Sequence, residues 1–179
     1  TASNWYDLAT GSHPVPTNAD TCRLYNALTG YNFTDSNVTV STTTAVCQKL
    51  QMKYLVTKLT ILTGGKLTTT GSVEMYQGVS GQLDIQAGAT MDAYTKTNTT
   101  TATFKLADDG NSGYTETVNV WGTLNVISLV PANGTSLLEM CNVSPGSGTG
   151  TLNIYSTGVV NVDAYTIGSY GTGRIYITI

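Results

Sequence analysis

The residues of this chain whose types suit hydrolytic chemistry are one histidine and a few carboxylates. His13 lies beside proline in an irregular segment, where a solvated loop side chain is expected and not a catalytic base. Glycoside cleavage needs two carboxyl groups about 5–10 Å apart in a groove, and Asp84, Asp92 and Asp163 are the candidates. Each interrupts an apolar run at its outward position, which is typical of an exposed strand face. We therefore predict that the protein is not an enzyme.

Metal ions and phosphates need particular sets of ligands. The turn at 108–113 (Asp-Asp-Gly-Asn-Ser-Gly) offers oxygen atoms, but a calcium loop also uses a distal bidentate glutamate. Glu116 falls at the start of the next predicted strand. The chain has no cysteine pairs or clustered histidines at zinc spacing and no Gly-Lys-Ser/Thr loop. We expect a plain turn at 108–113, no metal site and no cofactor.

Three cysteines are compatible with an oxidising compartment. Cys22 and Cys47 flank the N-terminal segment, and a bridge between them would close a loop of about 25 residues, worth about 3–4 kcal/mol in chain-entropy models. We predict this disulfide. Cys141 is then either a buried thiol or a link between subunits.

Sequons of the N-x-S/T type mark candidate N-glycosylation sites. They occur at Asn32, Asn37, Asn98, Asn133 and Asn142. Because asparagine and hydroxyl residues are abundant, about three such sequons are expected by chance. Glycosylation at these five positions is therefore a hypothesis.

From about Leu50 onward, short apolar–polar–apolar runs alternate with turns, most of them marked by glycine. The runs at 58–62, 82–86 and 151–154 have the period-2 pattern of strands with one buried face. The chain contains 33 Thr, 13 Ser and 11 Tyr, and threonine and tyrosine favour strands. No segment keeps a 3.6-residue period, so we expect almost no helix.

The strand pattern also recurs at long range. Three positions return after 65 to 71 residues, pairing Glu74 with Glu139, Leu83 with Leu152 and Asp92 with Asp163. Coils of three short strands, stacked on one another, accommodate such a repeat with turns of varying length. We predict an all-β parallel solenoid over 49–179, with 1–48 as a loop-rich N-terminal cap that takes part in assembly, in one compact domain. The alternative is a β-sandwich or jelly roll, which would favour longer strands and more Asn-Gly turns.

Three segments resemble a known family. Leu59–Leu67, Gly81–Met91 and Gly150–Val160 are similar to the G-x-L-x-I-x-x-G-A-x-V runs of bacterial secreted proteins with autotransporter-associated β-strand repeats, which often carry PEP-CTERM sorting tails. The opening Asn4-Trp5 with Pro16 and Asp20 resembles the start of such repeat regions. The resemblance implies a right-handed parallel β-solenoid at the cell surface or outside the cell. The cysteines of the chain are not part of the family pattern.

Charge and hydropathy narrow the range of binding partners that can be expected. The net charge is −3 and the eight Lys and Arg residues are scattered, so nucleic acid is not an expected partner. No apolar run approaches the roughly 20 residues that cross a bilayer, so we expect no membrane insertion. The polar start without methionine is read as a mature chain whose export signal has been removed. We therefore expect a secreted protein, located outside the cell or at its surface.

The segment 174–179 is strongly β-forming and has no charge after Arg174. As an edge strand it would present unpaired backbone groups to another chain. The sequence therefore predicts an extracellular structural protein that self-assembles head-to-tail into a filament or surface layer, such as a biofilm matrix. The expected subunit interface is Ile175, Tyr176, Ile177 and Ile179.

The alternative function is a carbohydrate-binding or adhesive module. Its stacking platforms would be tyrosine rings, with glycans as the partner. The candidate rings are Tyr76, Tyr94, Tyr155, Tyr165 and Tyr170.

Overall fold

The computed structural model describes residues 16–24, 27–28, 31–32, 37–52, 58–75, 80–95, 101–107, 112–128, 136–141, 147–168 and 171–178. These residues form strands and turns and no helix. None of the described segments is a helix long and apolar enough to span a membrane.

The strands are short, as the spacing of turn residues predicts. In chain order they are β1 (Thr21–Leu24), β2 (Ala27–Leu28), β3 (Tyr31–Asn32), β4 (Asn37–Val40), β5 (Ala45–Cys47), β6 (Lys49–Met52), β7 (Lys58–Ile61), β8 (Lys66–Thr69), β9 (Val73–Met75), β10 (Gln82–Ile85), β11 (Thr90–Thr95), β12 (Thr101–Leu106), β13 (Ser112–Val120), β14 (Thr123–Ser128), β15 (Ser136–Met140), β16 (Ser147–Ile154), β17 (Val159–Val162), β18 (Ala164–Ile167) and β19 (Thr172–Ile177).

All but two of these strands belong to three parallel sheets. Sheet I has the order β4-β7-β10-β13-β16-β19, sheet II β5-β8-β11-β14-β17, and sheet III β1-β6-β9-β12-β15-β18. The chain visits sheets I, II and III in turn, so β4–β6 form the first coil and β16–β18 the fifth, with β19 on top of β16. The predicted all-β parallel solenoid is confirmed, and the antiparallel sandwich or jelly roll is excluded.

Inward residues of successive coils stack into columns that form the core. In sheet I, one column runs through Leu59, Leu83, Val118 and Leu152, paired in register and each no more than 2% exposed. Burying an aliphatic side chain of this size contributes about 1.5–3 kcal/mol. Because every coil repeats the apolar–polar–apolar strand, each new coil extends the same core.

The long-range repeat follows these columns in two of its three positions. Glu74 and Glu139 lie in one column of sheet III, and Leu83 and Leu152 share a column of sheet I, each pair two coils apart. The third pairing is wrong, because Asn161 and not Asp163 lies in the column of Asp92. Asp163 lies at the corner after β17.

Strands of the predicted N-terminal cap pair with the solenoid. β1 pairs with β6, β4 with β7 and β5 with β8, all parallel and in register. The described part of residues 1–48 also contains the antiparallel pair β2–β3. Parallel pairing therefore begins within the segment that the sequence analysis assigned to a cap.

Two glycines of the fifth coil, Gly158 in the turn before β17 and Gly148 in β16, offer a matched test of the close turns. A Cβ at Gly158 would overlap the backbone carbonyl oxygen of Val120, whereas the nearest atoms to a Cβ at Gly148 are 3.5 Å away, an ordinary contact. We expect Gly158→Ala to lower the free energy of unfolding by about 1–3 kcal/mol, since the backbone must shift. Gly148→Ala should change it by less than about 0.5 kcal/mol. Urea unfolding of both variants measures the difference, and equal losses would contradict the turn geometry.

Candidate functional site

The large apolar side chains that are exposed, among the residues described, gather at one end of the solenoid. They belong to β17, β18 and β19, and their exposed fractions are Val159 48%, Tyr165 65%, Ile175 40%, Tyr176 51% and Ile177 68%. We call these five residues the open face.

The open face consists largely of core positions with no further coil above them. Ile175 is paired in register with Leu152, which is 2% exposed, and Tyr165 with Leu138, which is 3% exposed. β17, β18 and β19 are also the last described strands of sheets II, III and I. Apolar side chains and a strand edge are thus presented together, which is the arrangement that accepts another strand.

The other end of the solenoid is different. Cys22, Leu24 and Val40 occupy core positions of the terminal strands β1 and β4, and they are only 5%, 7% and 6% exposed. The two ends of the subunit are therefore unequal, and the large exposed apolar side chains among the described residues lie at the β17–β19 end.

The sequence analysis located part of this surface. Ile175, Tyr176 and Ile177, which were predicted to form a subunit interface, lie on the open face, whereas Ile179 lies outside the described residues. Val159 and Tyr165 also lie on the open face but were not among the residues that the sequence analysis singled out for a subunit interface. They resemble ordinary strand residues in sequence, and their exposure follows only from their position in the fifth coil.

A ladder of polar side chains runs along the outer surface of sheet I. Lys58 Nζ lies 2.5 Å from Asp84 Oδ2. Asn119 Nδ2 donates to Asp84 Oδ1 over 2.8 Å, and Asn153 Nδ2 donates to Asn119 Oδ1 over 2.8 Å. Each amide hydrogen points toward the carboxylate, so the carboxylate sets one direction for the whole ladder.

Sheet II carries an equivalent ladder. Lys66 Nζ lies 2.6 Å from Asp92 Oδ2, and Asn125 Nδ2 donates to Asp92 Oδ1 over 2.7 Å. Asn161 Nδ2 in turn donates to Asn125 Oδ1 over 2.7 Å. Because charge-assisted hydrogen bonds are about twice as strong as neutral ones, each aspartate anchors its column in register.

These ladders determine what the candidate catalytic carboxylates do. Asp84 and Asp92 were expected on an exposed face, but their neighbours bury them to 7% and 1% exposure. They lie on different sheets, and their oxygens are bonded to lysine and asparagine. Asp163 Oδ2 accepts the backbone N–H groups of Ser128 and Ser136 at 2.6 and 3.1 Å. The three carboxylates are thus engaged in structural bonds.

The ladders also shift the pKa values of their members. Burial raises the pKa of Asp84, but hydrogen bonds from Lys58, Asn119 and Gln82 outweigh it and hold the pKa below its ordinary value. Burial likewise raises the pKa of Asp92, and hydrogen bonds from Asn125, Lys66 and Tyr94 bring it below the ordinary value. Burial, together with the bond to Asp92, raises the pKa of Tyr94 to about 12.

The lowered pKa values predict acid-sensitive stability. Because Asp84 and Asp92 have folded-state pKa values below the unfolded value of 3.8, their stabilisation is present above that value and is lost as the pH falls through the folded-state values. We expect the free energy of unfolding to fall on acidification below about pH 5. Urea unfolding between pH 7 and pH 2 measures this loss. An Asp84→Asn/Asp92→Asn variant should lose less stability over the same range, and an unchanged loss would contradict the assignment.

No set of three or more His, Cys, Asp or Glu side chains in the described segments is placed to hold a metal ion. His13 and the turn at 108–111 lie outside those segments. The expectations about both therefore stay predictions.

Cys22 and Cys47 are brought together, but as free thiols. They lie on β1 and β5 and hydrogen-bond to each other; this contact, with burial, raises the pKa of Cys22. Cys141 is also buried and forms no disulfide bond. Its Sγ accepts the Gly150 N–H at 3.1 Å and donates to the Thr172 carbonyl at 3.3 Å.

One of the five sequons, at residues 37–39, lies entirely within the described residues. Asn37 is exposed on β4, so its side chain is accessible for modification. Asn32 lies on β3, but its side chain is outside what the structure describes, as are Asn98, Asn133 and Asn142 altogether. Glycosylation at these positions stays a prediction.

The candidate tyrosine platforms do not form a single row. Tyr94 bonds to Asp92, Tyr155 stacks on Trp121 and Tyr165 lies on the open face. Tyr76 and Tyr170 lie outside the described residues. Trp121 was not among the predicted platforms.

The fold and the open face define the class of this protein as a parallel β-solenoid with one exposed apolar end. Comparisons with protein-family models, with curated proteins and with solved structures give no match.

Proposed function

We propose that this chain is an extracellular structural protein that self-assembles head-to-tail into a filament or surface layer through the open face. The observation that carries the proposal is the exposure of core-column side chains at the β17–β19 end, with Ile177 68% exposed. Large exposed apolar patches on a soluble protein commonly mark contact sites. The resemblance of the repeats to bacterial secreted solenoid proteins supports the extracellular location.

Burial in the joint favours association. Fully burying one isoleucine side chain contributes about 1.5–3 kcal/mol. Ile175 and Ile177 lie on the same face of β19, on either side of Tyr176 in the sequence. A second chain would also pair with the backbone edge of β19. A contact between two different surfaces that does not close into a ring propagates as a filament.

The strand register favours β4 as the partner surface on the second copy. Val38 and Val40 occupy the first described places in the two core columns that end at Ile175 and Ile177. Adding β4 of a second copy to β19 therefore continues both columns. Because Val40 is already 6% exposed in the single subunit, the chain near it must rearrange on joining. The open face needs no such rearrangement, because its apolar side chains are already exposed in the single subunit.

Negative-stain microscopy and sedimentation velocity of the purified protein at neutral pH test the proposal. We expect the mean sedimentation coefficient to rise with protein concentration and elongated particles to appear. Monodisperse monomers that persist at high concentration would contradict self-assembly.

We also propose that Cys22 and Cys47 form a disulfide under oxidising conditions outside the cell. The two thiols already contact each other, and the bridge would connect β1 to β5 within the first coils. Peptide mapping without reductant should recover the Cys22–Cys47 pair after mild oxidation. Cys141 lies elsewhere as a thiol and serves as the control, since it should stay alkylatable in the denatured protein. Recovery of a Cys141-linked peptide as the main product would contradict the proposal.

A further inference from the structure

A stacked aromatic pair lies at the corner where sheet I turns into sheet II. The rings of Trp121 and Tyr155 have centroids 4.2 Å apart and an interplanar angle of 7°. The backbone N–H of Trp121 donates to the Ile85 carbonyl, and that of Tyr155 to the Val120 carbonyl. Gln86, Trp121 and Tyr155 are therefore successive members of one corner column.

The aromatic stack ends at Trp121 and does not continue into the coil below it. In the third coil the corner residue is Gln86, and its Oε1 accepts the backbone N–H of Thr63 at 3.1 Å. This bond directs the Gln86 amide toward the second coil. Tyr155 covers one face of the Trp121 ring, so the other face borders the space above Gln86.

That space is an open groove of about 350 Å³ lined by Thr63, Asp84, Gln86, Ala87 and Trp121. The groove is largely open to solvent, so a ligand would lie against its lining without being enclosed. The lining combines one flat aromatic ring with a hydroxyl, an amide and a carboxylate, a set that offers both stacking and hydrogen bonding.

We propose that this groove binds a neutral pyranose ring of a polysaccharide, stacked on the free face of Trp121. The sugar would continue the aromatic stack by one place, with its C–H face on the indole and its hydroxyl groups toward Thr63, Gln86 and Asp84. A ligand without a charge is favoured, since Asp84 is already paired with Lys58 at 2.5 Å.

This site is separate from the proposed assembly. Trp121 lies in the fourth coil, on the side of the solenoid and away from the open face. The groove therefore stays accessible when subunits join end to end, and each subunit adds one site. Repetition along a filament would increase the avidity for a long polysaccharide, although a single site binds weakly.

Saturation-transfer NMR with four neutral oligosaccharides tests the proposal. The probes are cellotetraose, laminaritetraose, mannotetraose and chitotetraose, each titrated to about 10 mM. We expect at least one to bind saturably with a Kd of about 0.1–1 mM, with the strongest transfer to C–H protons on one face of a ring. Trp121→Ala should weaken that binding at least tenfold.

Two further variants separate stacking from loss of structure. Ala87→Leu fills the groove without altering the aromatic pair, and it should also weaken binding at least tenfold. Thr115→Ala removes an exposed side chain of β13 that lies outside both the groove and the open face, and it should bind like the wild type. The proposal is overturned if none of the four probes saturates, or if Trp121→Ala and Ala87→Leu bind as tightly as the wild type. Sedimentation of the same variants reports assembly separately, so failure of sugar binding leaves the assembly proposal standing.

Discussion

An Ile175→Lys/Ile177→Lys variant should fold normally and fail to assemble. Both side chains are partly exposed, at 40% and 68%, so the single subunit loses little packing when they are replaced. In the assembled joint the same positions would lie in the core columns, where an uncompensated buried charge costs several kcal/mol. We expect assembly to weaken by at least about 100-fold in apparent Kd, equivalent to about 2.7 kcal/mol. Sedimentation velocity across a concentration series measures it.

A matched control separates the position of the charges from their number. Ala87→Lys/Thr115→Lys adds the same two charges at exposed positions on the side of the solenoid. This variant should assemble like the wild type at moderate ionic strength. If it fails to assemble as well, net charge and not the open face governs association. If the isoleucine variant still forms filaments, the open face is not the joint.

The second large effect concerns the carboxylate that anchors the ladder of sheet II. Asp92→Ala should lower the free energy of unfolding by about 2–3 kcal/mol at pH 7, because Asn125 and Tyr94 lose their acceptor in a buried site. The expected loss is below that of a fully buried ion pair, since the Lys66 side chain is 43% exposed and can turn to water. Urea unfolding in the Ile175→Lys/Ile177→Lys background measures it without interference from assembly.

The last residue of the same ladder is the control for Asp92. Asn161 is exposed and donates to Asn125, but no described member of the ladder lies beyond it. Asn161→Ala should therefore cost less than about 1 kcal/mol. Equal losses for Asp92→Ala and Asn161→Ala would show that the carboxylate does not anchor the column.

The sequence predicts the fold because each coil repeats a local pattern. Apolar–polar–apolar strands with turns between them define the inward residues, and equivalent positions such as Glu74 and Glu139 fall in one column. The N-terminal strands were harder to predict, since their pattern is irregular and β4 shows its role only by pairing with β7. The pairing of Asp92 with Asp163 was wrong because turn lengths between coils differ.

Prediction of the candidate sites depended more on tertiary structure than on the local sequence pattern. The apolar composition of β19 indicated Ile175, Tyr176 and Ile177, whereas Tyr165 joins the same surface because no described strand lies above β18. The outward aspartates were expected to be exposed, but their asparagine partners come from one coil away and bury them. Trp121 was missed because its stacking on Tyr155 joins residues of two different coils.

Disulfide trapping of the joint tests the central claim most directly. In a background with the three native cysteines replaced by serine, Thr39→Cys and Tyr176→Cys are prepared as separate proteins, mixed and oxidised. Both positions are exposed, and adding β4 to β19 makes them parallel neighbours about 4.8 Å apart, within the Cα range for a disulfide. Head-to-tail assembly through the open face predicts a cross-linked dimer in the mixture and not in either protein alone. A dimer of Tyr176→Cys by itself would show tail-to-tail contact, and no cross-link in any sample would contradict a joint at this face.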